Sequence, residues 1–115
     1  MVIDKNGRET FSATPTHPGE MLADELEARK LTQKALAEMA GVSAAMISAV
    51  IRQKKGVSLS LALRLETALA IDAAFWINAQ RLYERTVAYH KAKRELIRLN
   101  IPANRQQELL RAFAA

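Results

Sequence analysis

Apolar residues recur every three or four positions along most of the chain, and this spacing predicts amphipathic α-helices. No proline lies between residues 19 and 101, and the only glycines there are Gly41 and Gly56. The pattern predicts helices at residues 18–29, 33–40, 44–52, from Ser58 or Ser60 to Ala70, at 73–99, and a last short one after Asn104. The polar stretch Ala88–Glu95 leaves a break in the fifth helix open.

Residues that favour helix termini stand at the ends of these segments. Pro18 suits a first helical turn, where a missing amide proton costs nothing. Side chains that can accept hydrogen bonds from helix amides precede four helices: Thr32, Ser43, Ser58 or Ser60, and Asp72. Gly41 is placed to end the second helix in a left-handed conformation. Asn104 and Gln107 form a capping-box pattern for the last helix.

The apolar stripes of the predicted helices define a candidate core. The residues expected to face inward are Met21, Leu22, Leu26, Leu36, Ala37, Met39, Ala40, Met46, Ile47, Val50, Ile51, Leu61, Leu65, Ala68, Leu69, Phe75, Trp76, Ala79, Leu82 and Tyr83. Phe75 and Trp76 also raise the alternative of a ligand pocket. Adjacent aromatic residues that open an amphipathic helix are more typical of core packing, because each ring buries a large apolar area.

The N-terminal stretch differs from the rest of the chain. Val2-Ile3 and Thr10-Phe11 flank Asn6-Gly7, a dipeptide typical of tight hairpin turns. An isolated two-stranded hairpin is only marginally stable in water, so this segment needs a partner or stays mobile. We therefore separate an N-terminal arm (1–16) from the helical part of the chain.

Composition excludes several classes of protein. The chain has 115 residues, half of them apolar, and aromatic residues make up only 5%, which argues against an all-β fold. It lacks cysteine, which excludes disulfides, thiolate zinc sites and a cysteine nucleophile. His17 and His90 lie far apart, and the carboxylates of the first helix (Glu20, Asp24, Glu25, Glu27) have no matched acid–base partner. We expect no enzymatic activity, no metal or other cofactor and no small-molecule substrate.

No apolar run reaches the length of a membrane span, and no signal peptide opens the chain, so we expect a cytoplasmic protein without membrane contact. The formal net charge is +5. Residues 1–30 carry four Lys and Arg against six Asp and Glu, whereas residues 31–70 carry five against two and residues 71–115 carry eight against four. A basic body is typical of nucleic-acid binders, since phosphate contacts supply most of their non-specific affinity, although many solvated helical faces are also basic.

The second and third predicted helices match a helix-turn-helix, in which the second helix enters the major groove of DNA. Gln33 begins the first helix of this motif, which is the second predicted helix of the chain. Ala37 is small where the two helices of the motif would cross, and Gly41 lies in the turn between them. Apolar residues stand where the second helix must dock: Val42, Ile47 and Val50. A plain helical hairpin would explain the apolar positions, but it would not explain the register of Thr32-Gln33, Gly41 and Ser43.

Several segments carry a family resemblance. They are His17-Pro18-Gly19-Glu20, Leu31-Thr32-Gln33-Lys34-Ala35-Leu36-Ala37, Gly41-Val42-Ser43, Gly56-Val57-Ser58, Ala62-Leu63-Arg64-Leu65 and Phe75-Trp76-Ile77-Asn78-Ala79-Gln80. With these segments the sequence resembles the HigA family of antitoxins, within the phage-repressor-like helix-turn-helix superfamily, over residues 17–84. The resemblance implies an all-α fold with three parts: the short N-terminal arm (1–16), a five-helix helix-turn-helix domain (17–84) and a helical C-terminal extension (85–115).

The resemblance also implies a homodimer that binds a palindromic operator in double-stranded DNA and represses its own toxin–antitoxin operon. It further implies tight binding to a HigB-type toxin, a ribosome-dependent messenger RNA cleaver. A stand-alone helix-turn-helix regulator without a toxin is the alternative function. A protein-interaction module that keeps the helix-turn-helix only as a scaffold is another.

The expected DNA contacts fall into two groups. Base edges should meet the outward face of the third helix: Ser43, Ala44, Ala45, Ser48, Ala49 and Arg52. Phosphates should meet Thr32, Gln33, Lys34, Lys54 and Lys55. The alanine-rich face lacks side chains for bidentate base contacts, so DNA shape and half-site spacing should carry more of the specificity. The alternatives are a solvated loop for Lys54-Lys55, and contacts with the helix's own terminal carbonyls for Arg52.

Two further surfaces are candidates for protein contacts. Leu82, Val87, Leu96 and Leu99, with the last helix, are expected to form the dimer interface. The alternative role of this part is a basic arm that touches flanking DNA through Lys91, Lys93, Arg94 and Arg98. The net-acidic N-terminal third is the candidate contact for a basic toxin, and residues 1–16 could add a strand to the edge of its sheet.

Overall fold

The computed structural model describes residues 2–3, 9–10 and 14–113. These residues form two short strands and six α-helices: β1 (Val2–Ile3), β2 (Glu9–Thr10), α1 (Pro18–Arg29), α2 (Gln33–Ala40), α3 (Ala44–Ile51), α4 (Leu59–Leu69), α5 (Ala73–Arg98) and α6 (Ala103–Leu110), which a 3-10 turn follows at Arg111–Phe113. The all-α helical fold that the sequence predicted is confirmed. No break occurs at Ala88–Glu95, since α5 is one continuous helix.

The two strands pair antiparallel, with Val2 opposite Thr10 and Ile3 opposite Glu9. This confirms the pairing that the sequence predicted for the N-terminal arm. The predicted Asn6-Gly7 turn and Phe11 lie outside the described residues.

Side-chain caps begin the first five helices. His17, Thr32, Ser43 and Ser58 each accept a hydrogen bond from an amide of the first turn of the helix that follows. Asp72 does the same for α5, where its Oδ1 accepts from the Ala74 amide at 2.8 Å. Each cap satisfies an amide that has no partner within its own helix, and each contributes about 1 kcal/mol. The predicted caps Thr32, Ser43, Ser58 and Asp72 are confirmed.

The predicted capping box of α6 is wrong. The helix begins at Ala103 after Pro102, whose side chain makes no cap, and Asn104 lies inside the first turn. The extended backbone of Pro102 (φ −57°, ψ 146°) lets its carbonyl accept the first helical bond, from the Gln106 amide at 2.9 Å. Proline before a helix start therefore took precedence over the weaker Asn104 signal.

The chain divides into two compact units, and the boundary falls within α5. One unit is Thr16–Arg81. The other contains Leu82–Ala115 and Met1–Pro15, as far as these residues are described. In this second unit, Arg85 of α5 donates from Nε and Nη2 to the carbonyl of Phe113 at 3.4 and 3.3 Å. These bonds tie the 3-10 turn to the helix.

The core of the first unit is a single apolar cluster. Its buried members are Leu22, Leu26, Leu36, Ala37, Ile47, Val50, Val57, Leu61, Ala62, Leu65, Leu69, Ala73 and Trp76. Full burial of one large apolar side chain is worth roughly 1.5–3 kcal/mol, so this cluster is the main source of stability for the helices that contribute to it. Trp76 is completely buried, as the sequence predicted.

Three predicted core residues are instead exposed: Met39, Phe75 and Leu82, which is 39% exposed. Met39 is 48% exposed and Phe75 is 46% exposed. The buried stripe of α2 runs through Leu36, Ala37 and Ala40, and Met39 lies about 100° from its centre at roughly 100° per residue. Phe75 is displaced by a similar angle from the stripe of Trp76, and its ring meets the indole edge-to-face with centroids 5.1 Å apart.

Within the described residues, no single helix is long and apolar enough to cross a membrane. Helices α2 and α3 reach that hydropathy only when taken together, and the chain bends by 119° between them.

Candidate nucleic-acid interface

The sharp bend between α2 and α3 is the geometry of a helix-turn-helix. The two helices meet at 119° across the three residues Gly41-Val42-Ser43. Gly41 adopts a left-handed conformation (φ 69°), and the Val42 amide donates to the Ala37 carbonyl at 3.0 Å. Paired helices of DNA-binding motifs cross at about 90–120° over a turn of this length. The predicted helix-turn-helix geometry is therefore present.

Arg64 of α4 holds this turn from outside the motif. Its Nη1 donates to the carbonyls of Ala40 and Gly41 at 3.2 and 3.3 Å. A side chain on Gly41 would lie 2.9 Å from that nitrogen, so glycine serves here both for its φ angle and for its size. The contact spans more than 20 residues of sequence, and helical periodicity gave no indication of it.

The predicted base-reading residues lie together on α3 and at its two ends. Ser43, Ala44, Ala45 and Arg52 are exposed, whereas Ser48 and Ala49 are half-buried. The Oγ of Ser43 accepts from the Met46 amide at 3.0 Å, so its hydroxyl hydrogen is the group it can offer to an acceptor. Between Ala44 and Ile51 the helix carries no charged residue. Any electrostatic attraction for a nucleic acid must therefore come from the flanking segments.

The Arg52 side chain lies along its own helix. Its Nε donates to the Ser48 carbonyl at 3.4 Å, a long second bond to a carbonyl that already accepts the Arg52 amide at 2.9 Å. The alternative drawn from the sequence, a contact with the helix's terminal carbonyls, is therefore present. Its guanidinium is exposed and keeps further N–H donors beyond Nε.

The predicted phosphate-binding residues lie at two sites. Thr32 caps α2, and its Oγ1 accepts from the Ala35 amide at 3.0 Å. The amides of Gln33 and Lys34 come before that bonded amide and point out of the helix end, as the first amides of any α-helix do. Lys34 itself is exposed.

The second site is the basic loop, Gln53–Val57, which follows α3. The amides of Lys54 and Lys55 both donate to the Ala49 carbonyl, at 2.8 and 3.3 Å. Gln53 takes a left-handed conformation (φ 62°), which turns the chain away from the helix. Lys54 and Lys55 are exposed, and at the end of the loop the Val57 amide donates to Oε1 of Gln80 at 2.8 Å.

Neither Arg64 nor Gln80 was predicted to have a role at this site. Both lie in segments that carry the family resemblance, and Arg64 is a charged residue between two leucines. That contrast was the available signal, but it does not tell which backbone group each side chain meets.

His17, at the start of α1, is buried, and its Nδ1 accepts from the Gly19 amide at 2.9 Å. Burial lowers the pKa of His17, while the negative charge of Glu20 acts in the opposite direction. The neutral ring is the form that can accept this bond, so His17 caps the start of α1. In the described part of the chain, no group of three or more His, Cys, Asp or Glu side chains could hold a metal ion.

Comparison with known proteins identifies the same region. A helix-turn-helix family model matches residues 22–76. The chain is similar to virulence-associated protein I of Dichelobacter nodosus, with 37% identity over 73 residues that cover 63% of this chain and 68% of that protein.

Two solved structures show the same fold. One is an addiction module antidote protein of a HigA family from Coxiella burnetii, with a TM-score of 0.67 and 28% identity over 73% of this chain and 92% of that one. The other is the Pseudomonas aeruginosa antitoxin HigA with the higBA promoter, with a TM-score of 0.67 and 35% identity over 78% of this chain and 98% of that one.

Proposed function

We propose that this chain, which belongs to the HigA family of helix-turn-helix proteins, is a sequence-specific DNA-binding repressor and the antitoxin of a HigBA-type module. The observation that carries the proposal is the 119° arrangement of α2 and α3, with an exposed α3 face between two groups of cationic and amide donors. The similar antitoxin solved with promoter DNA supports it. Operator binding would take place in the cytoplasm.

In the proposed complex, α3 enters the major groove. The hydroxyls of Ser43 and Ser48 hydrogen-bond to base edges, and the methyl groups of Ala44, Ala45 and Ala49 contact thymine methyls. A serine hydroxyl accepts or donates with almost any base, so these contacts discriminate weakly. Sequence-dependent DNA shape and half-site spacing supply the remaining specificity. Arg52 reaches a base or phosphate with the donors that its bond to Ser48 leaves over.

Phosphates lie on both sides of the groove. On one side they meet the α2 N-terminus, where Thr32, Gln33 and Lys34 combine amide donors with a positive charge. On the other side they meet Lys54 and Lys55 of the basic loop. Because α3 itself is uncharged, these flanking contacts account for most of the affinity and for its salt dependence.

A homodimer is proposed because one short helix reads too few base pairs to define a site. Exposed apolar side chains in the second unit support the proposed interface on α5 and α6. Val87, Leu99 and Leu109 are 39%, 52% and 37% exposed. Removal of such surface from water on dimerisation is favourable. We keep the division into an arm (1–16), a DNA-binding domain (17–84) and an extension (85–115) as part of this proposal.

The partner protein in the proposal is a HigB-type toxin. Residues 1–16 are proposed to contact it, because the strands β1 and β2 offer an edge for pairing and the N-terminal third is net acidic. Deletion of residues 1–16 should weaken toxin binding, measured by calorimetry, and should leave operator binding unchanged. Unchanged toxin affinity would rule out this contact.

Selection from a random duplex pool, followed by a salt titration on the best site, tests the proposed function. We expect a two-fold site with half-sites about one helical turn apart. Removal of both lysines in Lys54→Ala/Lys55→Ala should lower the salt slope by about 2. The control Arg29→Ala/Arg105→Ala removes the same charge from cations paired with Glu25 and Glu108, and it should leave the slope unchanged.

The uncharged face of α3 favours one other candidate function, a protein-interaction module. Failure to enrich any DNA sequence would support that alternative and would overturn the proposed repressor. Enrichment of an operator, together with no growth rescue from a neighbouring toxin gene, would instead indicate a stand-alone regulator.

A further inference from the structure

The basic loop is held at both of its ends. At its start, the backbone amides of Lys54 and Lys55 bond to the last turn of α3 through the Ala49 carbonyl. At its end, the Val57 side chain is only 5% exposed and belongs to the apolar core. Although their backbone amides are held in this way, Lys54 and Lys55 are exposed residues.

Gln80 of α5 makes the second anchor a polar one as well. Its Oε1 accepts from the Val57 amide at 2.8 Å across 23 residues of sequence. The bond is partly buried, where a lost partner leaves an amide unsatisfied and therefore costs more than at the surface. No residue within the loop itself supplies this acceptor.

Gly56 allows the Gln80 amide to lie directly against the loop backbone. A Cβ on Gly56 would meet Oε1, Nε2 and Cδ of Gln80 at 2.6, 2.7 and 2.8 Å. Such distances are too short for non-bonded atoms, so any larger residue at position 56 would displace the Gln80 amide. The φ angle of Gly56 is not in the left-handed region, and space is thus the reason for glycine here.

We infer that Gln80 is a positioning residue for DNA binding: it touches no DNA, and it fixes the basic loop so that Lys54 and Lys55 are presented to phosphates. The inference rests on the proposed function. A loop ordered in the free protein loses less conformational entropy when its lysines engage phosphates. Without the Gln80 bond, the loop would lose this conformational entropy when it binds DNA instead of when the protein folds.

The first experiment needs no DNA. Trypsin cleavage after Lys54 and Lys55 is followed by mass spectrometry in the full chain, with cleavage after Lys34 of α2 as an internal measure of general unfolding. Gln80→Met keeps the length of the side chain without its oxygen acceptor, and it should accelerate loop cleavage about fivefold. Gln80→Glu keeps an acceptor and should restore protection. Asn78→Ala, at an exposed amide residue of the same helix, is the matched control.

The second experiment measures affinity for the selected operator as a function of salt concentration. Gln80→Met should weaken binding about fivefold near 0.15 M salt and lower the salt slope by about 1. A variant that merely unfolds a fraction of the molecules lowers the active concentration without changing that slope. Asn78→Ala should behave like wild type.

Gly56→Ala provides an independent variant that breaks the same contact from the loop side, and it serves also if Gln80→Met does not fold. The double variant should lose no more affinity than either single one, because both remove one interaction. Unchanged loop cleavage in Gln80→Met and Gly56→Ala would overturn the inference, as would faster cleavage with an unchanged salt slope. If wild type binds no DNA at any salt concentration, the proposed function fails first, and the role of Gln80 in DNA binding fails with it.

Discussion

The buried cap of α1 should make the stability of the protein depend on pH. His17 is 4% exposed and accepts the Gly19 amide at 2.9 Å through Nδ1. Burial lowers the pKa of His17 from its ordinary value of 6.5, with Glu20 opposing. Once protonated, Nδ1 becomes a donor and can no longer accept from Gly19. Protonation therefore removes the cap and leaves a charge in a buried site.

The direction of the pH dependence of stability follows from the direction of the pKa shift of His17. Because the pKa is lower in the folded protein, the unfolded chain takes up the proton first as the solution is acidified. The contribution of His17 is fully present above pH 6.5 and is lost as the pH falls through the folded-state pKa. Stability should thus decrease from pH 8 toward pH 5.5, a range above the ordinary pKa values of Asp and Glu.

Two substitutions of His17 distinguish the stability that the cap contributes from the pH dependence that the imidazole contributes. His17→Ala should cost about 1–2 kcal/mol at pH 8, because it removes a cap worth about 1 kcal/mol together with the packing of a buried ring. For a unit of this size, that corresponds to a melting temperature lower by roughly 4 °C or more. His17→Asn keeps a capping oxygen, so it should lose less stability than His17→Ala, and its stability should fall less than that of wild type as the pH decreases.

Urea unfolding at several pH values between 8 and 5.5 measures both effects. His90→Asn is the control, since it removes the other histidine and leaves the bond between His17 and the Gly19 amide in place. The reasoning is refuted if His17→Asn retains the wild-type loss of stability on acidification, or if wild type becomes more stable as the pH falls.

Predictions for substitutions at three further positions follow from the described contacts. Gly41→Ala should lower the stability by about 1–2 kcal/mol in thermal unfolding, because residue 41 has φ 69° and a Cβ there would crowd Arg64. Gly41→Asn should cost less, and equal costs for the two variants would contradict this explanation. Trp76→Ala should cost about 3–5 kcal/mol. Trp76→Phe should cost much less, since it also removes an indole N–H that is buried without a partner among the described residues; similar losses in urea would argue against this. Ser43→Ala should cost about 1 kcal/mol of stability, because it removes the oxygen that accepts from the Met46 amide. Ser43→Asp should restore the stability and weaken operator binding. Unimpaired operator binding by Ser43→Asp would exclude Ser43 from the interface.

Much of the local structure could be predicted because it depends on near neighbours in sequence. Thr32 and Ser43 each cap the helix that follows, and each bond spans three residues. Gly41 ends α2 in the predicted left-handed conformation. These features also set the register of the helix-turn-helix, and so the location of the candidate interface followed from the sequence. The roles of the individual DNA-contacting residues remain predictions.

Errors arose where local signals compete. Met39 and Phe75 fit a helical spacing of apolar residues, yet each lies on the margin of its stripe and is about half exposed. Periodicity alone does not tell which edge of a broad apolar stripe a neighbouring helix will cover. At α6, Pro102 started the helix two residues before the position that Asn104 indicated.

Local sequence therefore determined the helices, their caps and the register of the turn, because those interactions lie within one helical turn. Only the tertiary structure decided which polar side chains hold the two ends of α3. Arg64 reaches the turn before it and Gln80 reaches the loop after it, across 23 or more residues in each case. These pairs meet only when α4 and α5 have packed into the core. The local backbone around Arg64 or Gln80 does not indicate which distant backbone group the side chain will reach. The arrangement around the candidate recognition helix is thus a product of packing.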